Sequence, residues 1–332
     1  MKPRRSFWSA ALFLSLVATS AQAAGFERAT VAAAQPIDIG IWYPSDDPPP
    51  DEFNTRFRQA VAIGGEPTGE GLPLVVLSHG YGGWMGGHAD TALALAEAGF
   101  VAVAPTHPGN NYKDKSAPPS EWMVSRPRHI SSVIDFMLEE WGHSRRLAPG
   151  QIGVFGFSAG GYTALVAAGA TPDIALAIEH CAGNPAEFLC RIGVIDEVAA
   201  SRLRTDDAAF SSDPRIRAIS IAAPGLGFAF GRDGLADVLV PVQIWSGSLD
   251  DRVPHETNVA PLAKQLPRQA EVQVVDQAGH FAFLTPCNPA TEDANPRIWN
   301  MICVDTHGFD RTAFHDIMNA GIIAFFDRTL KN

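Results

Sequence analysis

Short, continuous runs of apolar residues, separated by segments of helical periodicity, constrain the fold of this chain more than any other feature. The first three runs do not alternate with polar residues, and they are Leu74–Leu77, Phe100–Ala104 and Ile152–Phe155. Strands that are covered by helices on both faces have this pattern. Helical patterns lie between and after these runs, at 89–98, 127–141 and 159–169. Because parallel strands are joined by helical crossovers, the sequence predicts an α/β fold with a mostly parallel central sheet flanked by helices.

The remaining segments extend this pattern toward both ends of the chain. The further elements expected are a hairpin at 29–43, an edge strand at 57–63, strands at 216–222, 241–245 and 272–275, and a core-facing helix at 309–330. Residues 170–214 interrupt the alternation of strands and helices, so we predict a small helical cap insertion there. A chain of 332 residues can fold as one large domain, and we assign residues 24–332 to it.

The first 23 residues have the three regions of a secretory signal peptide. Lys2, Arg4 and Arg5 form a basic start, an apolar stretch follows over Phe7–Val17, and small residues close the segment at 21–23. The apolar stretch has about half of the roughly 20 residues that a membrane-spanning helix needs, which favours a cleaved signal over an uncleaved anchor. We therefore expect an exported protein, periplasmic or secreted, that is not stably inserted in a membrane after cleavage.

The charge balance limits the partners of the mature chain. The formal net charge is −11, and it becomes −14 when the three basic residues of the signal are removed. Binding to nucleic acid or to anionic lipid needs clustered lysines and arginines, so neither partner is expected. The oligomeric state is left open by the sequence.

The four cysteines predict disulfide bonds, because an exported chain folds in an oxidising compartment. Three pairings are possible, and we favour Cys181–Cys190 with Cys287–Cys303 because the partners in each pair are close in sequence. A zinc site is not expected: there is no C-x-x-C, and the nearby histidines lack ligand spacing.

The motif that carries chemistry is Gly156-Phe157-Ser158-Ala159-Gly160, a G-x-S-x-G sequence. It directly follows the apolar run that ends at Phe155 and begins a helical segment, which is the strand–turn–helix setting of a nucleophile elbow. The small residues around Ser158 allow a tight turn, and the following helix directs free N–H groups toward a developing negative charge. The alternative, in which Ser158 only caps a helix, does not explain the glycines. We predict that Ser158 is a nucleophile.

A serine nucleophile needs a base and an acid, and the chain order in such folds is serine, acid, histidine. His280 follows the last predicted strand and is the expected base, whereas we expect His315 to face outward on the final helix. The acid should follow the strand at 241–245, where Asp250 and Asp251 are adjacent. We favour Asp250, which would orient the imidazole, and expect Asp251 to point away and to pair with Arg252.

The oxyanion produced by nucleophilic attack on a carbonyl group needs two backbone N–H donors. Ala159 follows the nucleophile and supplies one. The glycine-rich segment 78–83 follows an early strand, and we assign the second donor to Tyr81. His79, in the same segment, is expected to orient the loop and not to take part in the chemistry. Expected walls of the substrate pocket are Trp84, Tyr112 and Phe228.

Several motifs together give the chain a family resemblance. They are Trp42-Tyr43-Pro44, Leu77-Ser78-His79-Gly80-Tyr81-Gly82-Gly83, the segment 104–110, the serine elbow, Asp213-Pro214-Arg215-Ile216-Arg217-Ala218, and Ala278-Gly279-His280-Phe281-Ala282-Phe283-Leu284. With these, the chain resembles the α/β-hydrolase superfamily and, within it, bacterial dienelactone-hydrolase-like proteins related to platelet-activating-factor acetylhydrolases. Dienelactone hydrolases use a cysteine nucleophile where this chain has Ser158. The resemblance implies hydrolysis of a small-molecule ester. The chemistry expected of Ser158, His280 and Asp250 requires no metal or organic cofactor.

Two other functions are compatible with parts of this pattern. A serine amidase or peptidase on the same fold would use the same triad, although such peptidases usually carry a large extra domain. A non-catalytic binding protein on a hydrolase scaffold would normally have lost a member of the triad, and this chain retains all three in order. A carboxylic ester hydrolase is the function that we favour.

Overall fold

The computed structural model describes residues 23–201, 203 and 210–331. Within them a single sheet has nine strands in the order β3-β1-β2-β5-β4-β6-β7-β8-β9. The strands are β1 Ala23–Val31, β2 Ile37–Ser45, β3 Ala62–Ile63, β4 Leu72–Ser78, β5 Val101–Thr106, β6 Leu147–Phe157, β7 Ile216–Ala222, β8 Val242–Gly247 and β9 Glu271–Val275. Only β2 runs antiparallel to its neighbours, β1 and β5. The predicted α/β fold with a mostly parallel central sheet is therefore confirmed.

Helices cover both faces of the sheet, as the continuous apolar strands require. The ten α-helices of the described residues are α1 Ala89–Glu97, α2 Pro119–Glu139, α3 Ala159–Ala167, α4 Ile174–Gly183, α5 Phe188–Arg191, α6 Val194–Ser201, α7 Ala260–Gln265, α8 Ala290–Ala294, α9 Pro296–Ile302 and α10 Arg311–Leu330. Helices α1 and α10 pack with Val75 and Leu77 of β4 on one face of the sheet. Helices α2 and α3 pack with Leu74 and Val76 on the other.

The bounds of two elements differ clearly from the sequence-based expectations. The edge strand expected at 57–63 is only Ala62–Ile63, because most of that segment forms turns. Helix α2 begins at Pro119, eight residues before the expected start at Pro127, and continues through that second proline. A proline ring fixes φ at a helical value, so Pro119 favours the first turn of the helix. Pro127 lies inside the helix, where it cannot donate a backbone hydrogen bond, so tertiary packing must maintain the helix there.

The segment between α3 and β7 is helical in its described part. Helices α4 and α5 are joined by the disulfide Cys181–Cys190, and Cys287–Cys303 links the segment before α8 to the end of α9. Both predicted pairings are thus confirmed. Helix α6 is held against the start of α2 by Glu197, whose carboxylate accepts hydrogen bonds from Ser120 N and Oγ at 2.9 and 2.8 Å.

The predicted signal peptide lies outside the described residues, apart from Ala23, which is the first residue of β1. Residues 202 and 204–209 of the expected cap insertion also lie outside them. In the described part of the chain, no helix is both long and apolar enough to cross a bilayer. Nor does any cluster of three or more His, Cys, Asp or Glu side chains there have a geometry that could hold a metal ion.

Candidate active site

Ser158 lies in the sharp turn between β6 and α3, with φ 54° and ψ −117°. Such a conformation is strained for a residue other than glycine and is typical of functional sites. The turn is tight, because a Cβ atom on Gly156 would lie 2.1 Å from the Gly160 carbonyl oxygen. A Cβ atom on Gly160 would lie 1.9 Å from the Ser78 carbonyl oxygen. The two glycines therefore let the chain hold the Ser158 side chain at the carboxyl end of the sheet, as a nucleophile elbow does.

A chain of hydrogen bonds joins Ser158 to residues in the loops after β8 and β9. The Oγ atom of Ser158 is 3.1 Å from His280 Nε2, and His280 Nδ1 is 2.8 Å from Asp250 Oδ2. An ionised carboxylate can only accept, so the Nδ1–H group donates to Asp250 and Nε2 is left to accept the serine proton. Asp250 Oδ1 accepts from the backbone N–H groups of Arg252 and Val253 at 2.9 and 2.8 Å. These bonds fix the carboxylate in the orientation that the imidazole needs.

The competing acid lies away from this chain of bonds. Asp251 is exposed, whereas Asp250 is only 5% exposed. The expected ion pair between Asp251 and Arg252 is not among the ion pairs of the described residues. Instead, the Arg252 guanidinium lies between two aromatic rings, 4.4 Å from the centroid of Phe188 and 4.7 Å from that of Phe281. This contact links helix α5 to the loop that carries His280.

The expectation that His315 faces outward is wrong. Its ring is buried, with Nδ1 2.5 Å from Asp90 Oδ2 and Nε2 2.8 Å from the carbonyl oxygen of Ala282. Helical periodicity placed His315 among the polar residues of α10, but the loop after His280 packs over this part of the helix. The ring therefore supports the segment that holds His280, since Ala282 lies in the same 3₁₀ turn, His280–Phe283.

Of the two backbone groups predicted as oxyanion donors, the Ala159 N–H follows Ser158 directly and the Tyr81 N–H belongs to the loop that contacts Ser158 through Gly80. Among the described residues, neither the Tyr81 N–H nor the Ala159 N–H has an intramolecular acceptor. A Cβ atom on Gly80 would lie 3.4 Å from Ser158 Cβ, so the loop passes directly over the nucleophile. His79 Nδ1 is 2.6 Å from the Gly80 carbonyl oxygen, and Gly83 N–H also donates to that oxygen at 3.1 Å. Because C=O and N–H point in opposite directions across a trans peptide, these bonds fix the direction of the Tyr81 N–H.

His79 has a defined tautomer in this arrangement. Its Nε2 accepts the backbone N–H of His107 at 3.1 Å, so the ring proton is on Nδ1 and is donated to Gly80. Burial, followed by the nearby charge of Arg126, holds the pKa of His79 well below its ordinary value, which keeps the ring neutral at pH 7. These contacts are compatible with the loop-orienting role expected for His79.

The sequence analysis missed a buried polar cluster behind this loop, centred on Arg126 of α2. Its guanidinium donates to the carbonyl oxygen of His79, to Ser78 Oγ at 3.2 Å and to Asn110 Oδ1 at 2.9 Å. One signal could have revealed it. Arg126 lies at helical spacing from the apolar residues Ile130, Val133, Ile134 and Met137, and so on the face of α2 that is buried.

The three residues expected to line the substrate pocket are not brought together. Trp84 and Tyr112, whose ring centroids are 5.7 Å apart, both line a cavity of about 670 Å³ beside β1 and β2. Neither Ser158 nor His280 lines that cavity. Phe228 lies elsewhere, stacked on His180 of α4 with 4.0 Å between ring centroids. Pocket walls formed by distant loops cannot be assigned from aromatic residues in the sequence alone.

Comparison with known proteins agrees with this geometry. Residues 60–188 match the dienelactone hydrolase family. A ferulic acid esterase from Streptomyces cinnamoneus has a TM-score of 0.61 at 20% identity, with 95% of this chain and 92% of that chain covered. A zinc-bound, cold-adapted esterase from an Arctic intertidal metagenomic library has a TM-score of 0.48 at 16% identity, with 93% and 95% covered. No curated protein matches the chain significantly.

At 20% identity the first of these structural likenesses shows the fold, and the family match adds the enzyme class. The two findings agree with a mostly parallel sheet in which a serine elbow follows the sixth strand. The chain therefore has the α/β-hydrolase fold, and its match to the dienelactone hydrolase family over residues 60–188 supports carboxylic ester hydrolase activity.

Proposed function

We propose that the protein is a serine esterase that cleaves carboxylic esters through an acyl-enzyme on Ser158. The observation that carries this proposal is the unbroken chain of hydrogen bonds from Asp250 through His280 to Ser158 Oγ, at 2.8 and 3.1 Å. A serine hydroxyl needs an adjacent base to become nucleophilic, and the base needs a partner that holds its tautomer. Both requirements are met by residues in the loops at the carboxyl ends of β6, β8 and β9.

The reaction has two steps. His280 Nε2 takes the proton of Ser158 as Oγ attacks the ester carbonyl, and the N–H groups of Tyr81 and Ala159 stabilise the oxyanion. His280 then returns the proton to the leaving alcohol, which gives the acyl-enzyme. A water molecule, activated by the same imidazole, attacks the acyl carbon and releases the carboxylic acid and Ser158. No external reactant other than water is consumed.

The cap function of helices α4–α6 is part of this proposal. The start of α5 is bound to the loop after β8, where Glu187 accepts hydrogen bonds from Thr257 Oγ1 at 3.1 Å and Asn258 Nδ2 at 2.7 Å. Phe188 contacts the guanidinium of Arg252, which is two residues from Asp250. The helical segment is thus attached next to the acid of the triad, in a position from which it could restrict the acyl or alcohol group of the substrate.

The decisive experiment is hydrolysis of p-nitrophenyl esters from C2 to C16 and of methyl ferulate, the latter because a solved neighbour is a ferulic acid esterase. Wild-type protein is compared with Ser158→Ala and with the control Ser132→Ala, which removes a half-buried serine hydroxyl of α2. We expect Ser158→Ala to lose ester hydrolysis and labelling by a fluorophosphonate probe, whereas Ser132→Ala keeps both. Equal activity of wild type and Ser158→Ala would refute the proposal. A p-nitroanilide panel tests an amidase with the same variants.

We also propose that the protein is exported, periplasmic or secreted. Two disulfides, each closed within one segment of the chain, favour an oxidising compartment. N-terminal sequencing of the protein recovered from outside the cytoplasm tests this, with Ala24 as the expected first residue. Recovery of the intact N-terminus in the cytoplasm would contradict it.

A further inference from the structure

Behind the 78–83 loop, which bears the Tyr81 N–H, lies a fully buried arginine that has no carboxylate partner among the described residues. Arg126 has none of its surface exposed, and its Nη atoms donate to the carbonyl oxygen of His79, to Ser78 Oγ and to Asn110 Oδ1. All of these acceptors are neutral. Among the described residues, no Asp or Glu forms an ion pair with the Arg126 guanidinium, and its Nε atom is buried without a partner.

The groups around Arg126 do not supply a compensating charge. Three histidines lie near it, and burial, followed by the charge of Arg126, lowers the pKa of each: His79 and His107 well below the ordinary value, and His129 to about 4. All three rings are neutral at pH 7. Burial lowers the pKa of Arg126 to about 9, so the guanidinium remains charged at that pH. The cluster therefore carries one uncompensated positive charge.

An uncompensated charge in a protein interior is strongly unfavourable unless the interaction with another group offsets the cost of desolvation. Hydrogen bonds to neutral acceptors satisfy the N–H donors of Arg126 but do not neutralise its charge. A negative charge that forms only during the reaction would do so. In the proposed reaction such a charge forms at the oxyanion site, beside the Gly80–Tyr81 peptide that bears the Tyr81 N–H.

The distances place Arg126 one peptide unit behind that site. The His79 carbonyl oxygen, which accepts from Arg126, would lie 2.9 Å from a Cβ atom on Gly160, the second residue after the nucleophile. Gly80, the next residue, would place its Cβ atom 3.4 Å from Ser158 Cβ. Arg126 does not reach the substrate, but only the loop that bears the Tyr81 N–H separates it from the reacting carbonyl.

We propose that Arg126 is a positioning residue whose buried positive charge stabilises the oxyanion formed on Ser158, through the loop that it holds. This inference rests on the proposed function. Before attack, no carboxylate of the described residues is paired with Arg126. Attack moves the serine proton to His280 and creates a negative oxygen near the guanidinium, so the field of Arg126 favours the transition state over the bound ester.

The sharpest test gives Arg126 a counter-charge without removing it. Asn110→Asp is nearly isosteric and puts a carboxylate oxygen where Nη1 now finds the amide oxygen at 2.9 Å. Pairing the buried charge should keep or raise the melting temperature. It should also lower kcat/KM for a p-nitrophenyl ester by roughly 10- to 100-fold, the range expected for a unit charge screened several ångströms from the reacting atom.

Two substitutions of Arg126 separate charge from hydrogen bonding. Arg126→Lys keeps the charge, whereas Arg126→Gln replaces it with a neutral donor on a shorter side chain. If the charge acts as proposed, the lysine variant retains kcat/KM within about fivefold, and the glutamine variant falls as far as Asn110→Asp. Equal losses in the lysine and glutamine variants would overturn the proposal, because they would show that Arg126 is only a scaffold.

Inhibitor binding distinguishes an effect on the oxyanion from a general disturbance of the site. A trifluoromethyl ketone forms a negatively charged tetrahedral adduct with a reactive serine, and an ether analogue of the same substrate cannot. We expect Asn110→Asp to weaken the ketone by roughly 10- to 100-fold and to leave the ether unchanged. Unchanged kcat/KM and ketone affinity in a folded Asn110→Asp variant would refute the inference. Wild-type protein that hydrolyses no ester and is not labelled by a fluorophosphonate would instead refute the proposed function.

Discussion

Replacing Gly160 by alanine should damage the active site, although it adds only one methyl group. The added Cβ atom would lie 1.9 Å from the Ser78 carbonyl oxygen and 2.9 Å from that of His79. Cβ atoms essentially never approach other atoms within 3.0 Å, so the backbone must separate by about 1 Å. Both atoms in this clash belong to backbone, and neither can move away by changing a rotamer.

The direction of that movement determines the size of the effect. If α3 moves, the Ala159 N–H moves with it. If the loop after β4 moves, the Tyr81 N–H moves instead. Either way one oxyanion donor is displaced by about 1 Å, and a misplacement of that size lowers rates by about 100-fold. Overpacking of a buried contact also costs about 1–3 kcal/mol of unfolding free energy.

The assay measures kcat/KM for p-nitrophenyl acetate, the rate of labelling by a fluorophosphonate, and urea unfolding for Gly160→Ala. The matched control is Gly183→Ala at the end of α4, where a Cβ atom would meet no atom within 4 Å. That variant should keep wild-type activity and be as stable as wild type or slightly more so, because alanine favours a helix. A Gly160→Ala protein with kcat/KM within threefold of wild type would refute this account of the elbow.

Three further predictions concern the acid, a half-buried carboxylate and a disulfide. Asp250→Asn should lower kcat for ester hydrolysis by roughly 10⁴-fold, the loss known for the corresponding change in a serine protease. The control, Asp251→Asn at an exposed position, should change kcat less than about twofold. Comparable losses in both variants would contradict our choice of acid. Burial raises the pKa of Asp90, but hydrogen bonds and charge from His315 outweigh it and lower the pKa to about 2. Because this pKa lies below that of the unfolded chain, ionised Asp90 contributes about 2 kcal/mol to the free energy of unfolding. The contribution is fully present above about pH 4 and is lost as the pH falls toward 2. Urea unfolding should show that loss in wild type but not in Asp90→Asn. Replacing Cys287 and Cys303 by serine opens a loop with a sequence separation of 16. The replacement should lower the free energy of unfolding, measured in urea, by about 3 kcal/mol. An unchanged unfolding midpoint would show that the disulfide does not constrain the unfolded chain.

The parts of the structure that the sequence predicted depend on local order. Continuous apolar runs identified the buried strands, and the spacing of glycines around Ser158 identified the elbow, because a tight turn and a doubly covered strand leave their pattern in neighbouring residues. The order of nucleophile, acid and base along the chain singled out Asp250 and His280. The cysteine pairing followed from short separations, since residues close in sequence meet most readily.

The parts that were missed depend on contacts between distant residues. Periodicity placed His315 on the outer face of α10, but the loop after His280 covers that face, and the ring bonds Asp90 and Ala282. Aromatic side chains gave no guide to the pocket, because Trp84 and Phe228 belong to loops that only the folded sheet positions. Arg126 was likewise unremarked, although its spacing on α2 placed it on the buried face. A helical pattern tells which face of a helix is covered, but only the tertiary structure decides what covers it and, for a buried charge, whether a counter-charge lies within reach.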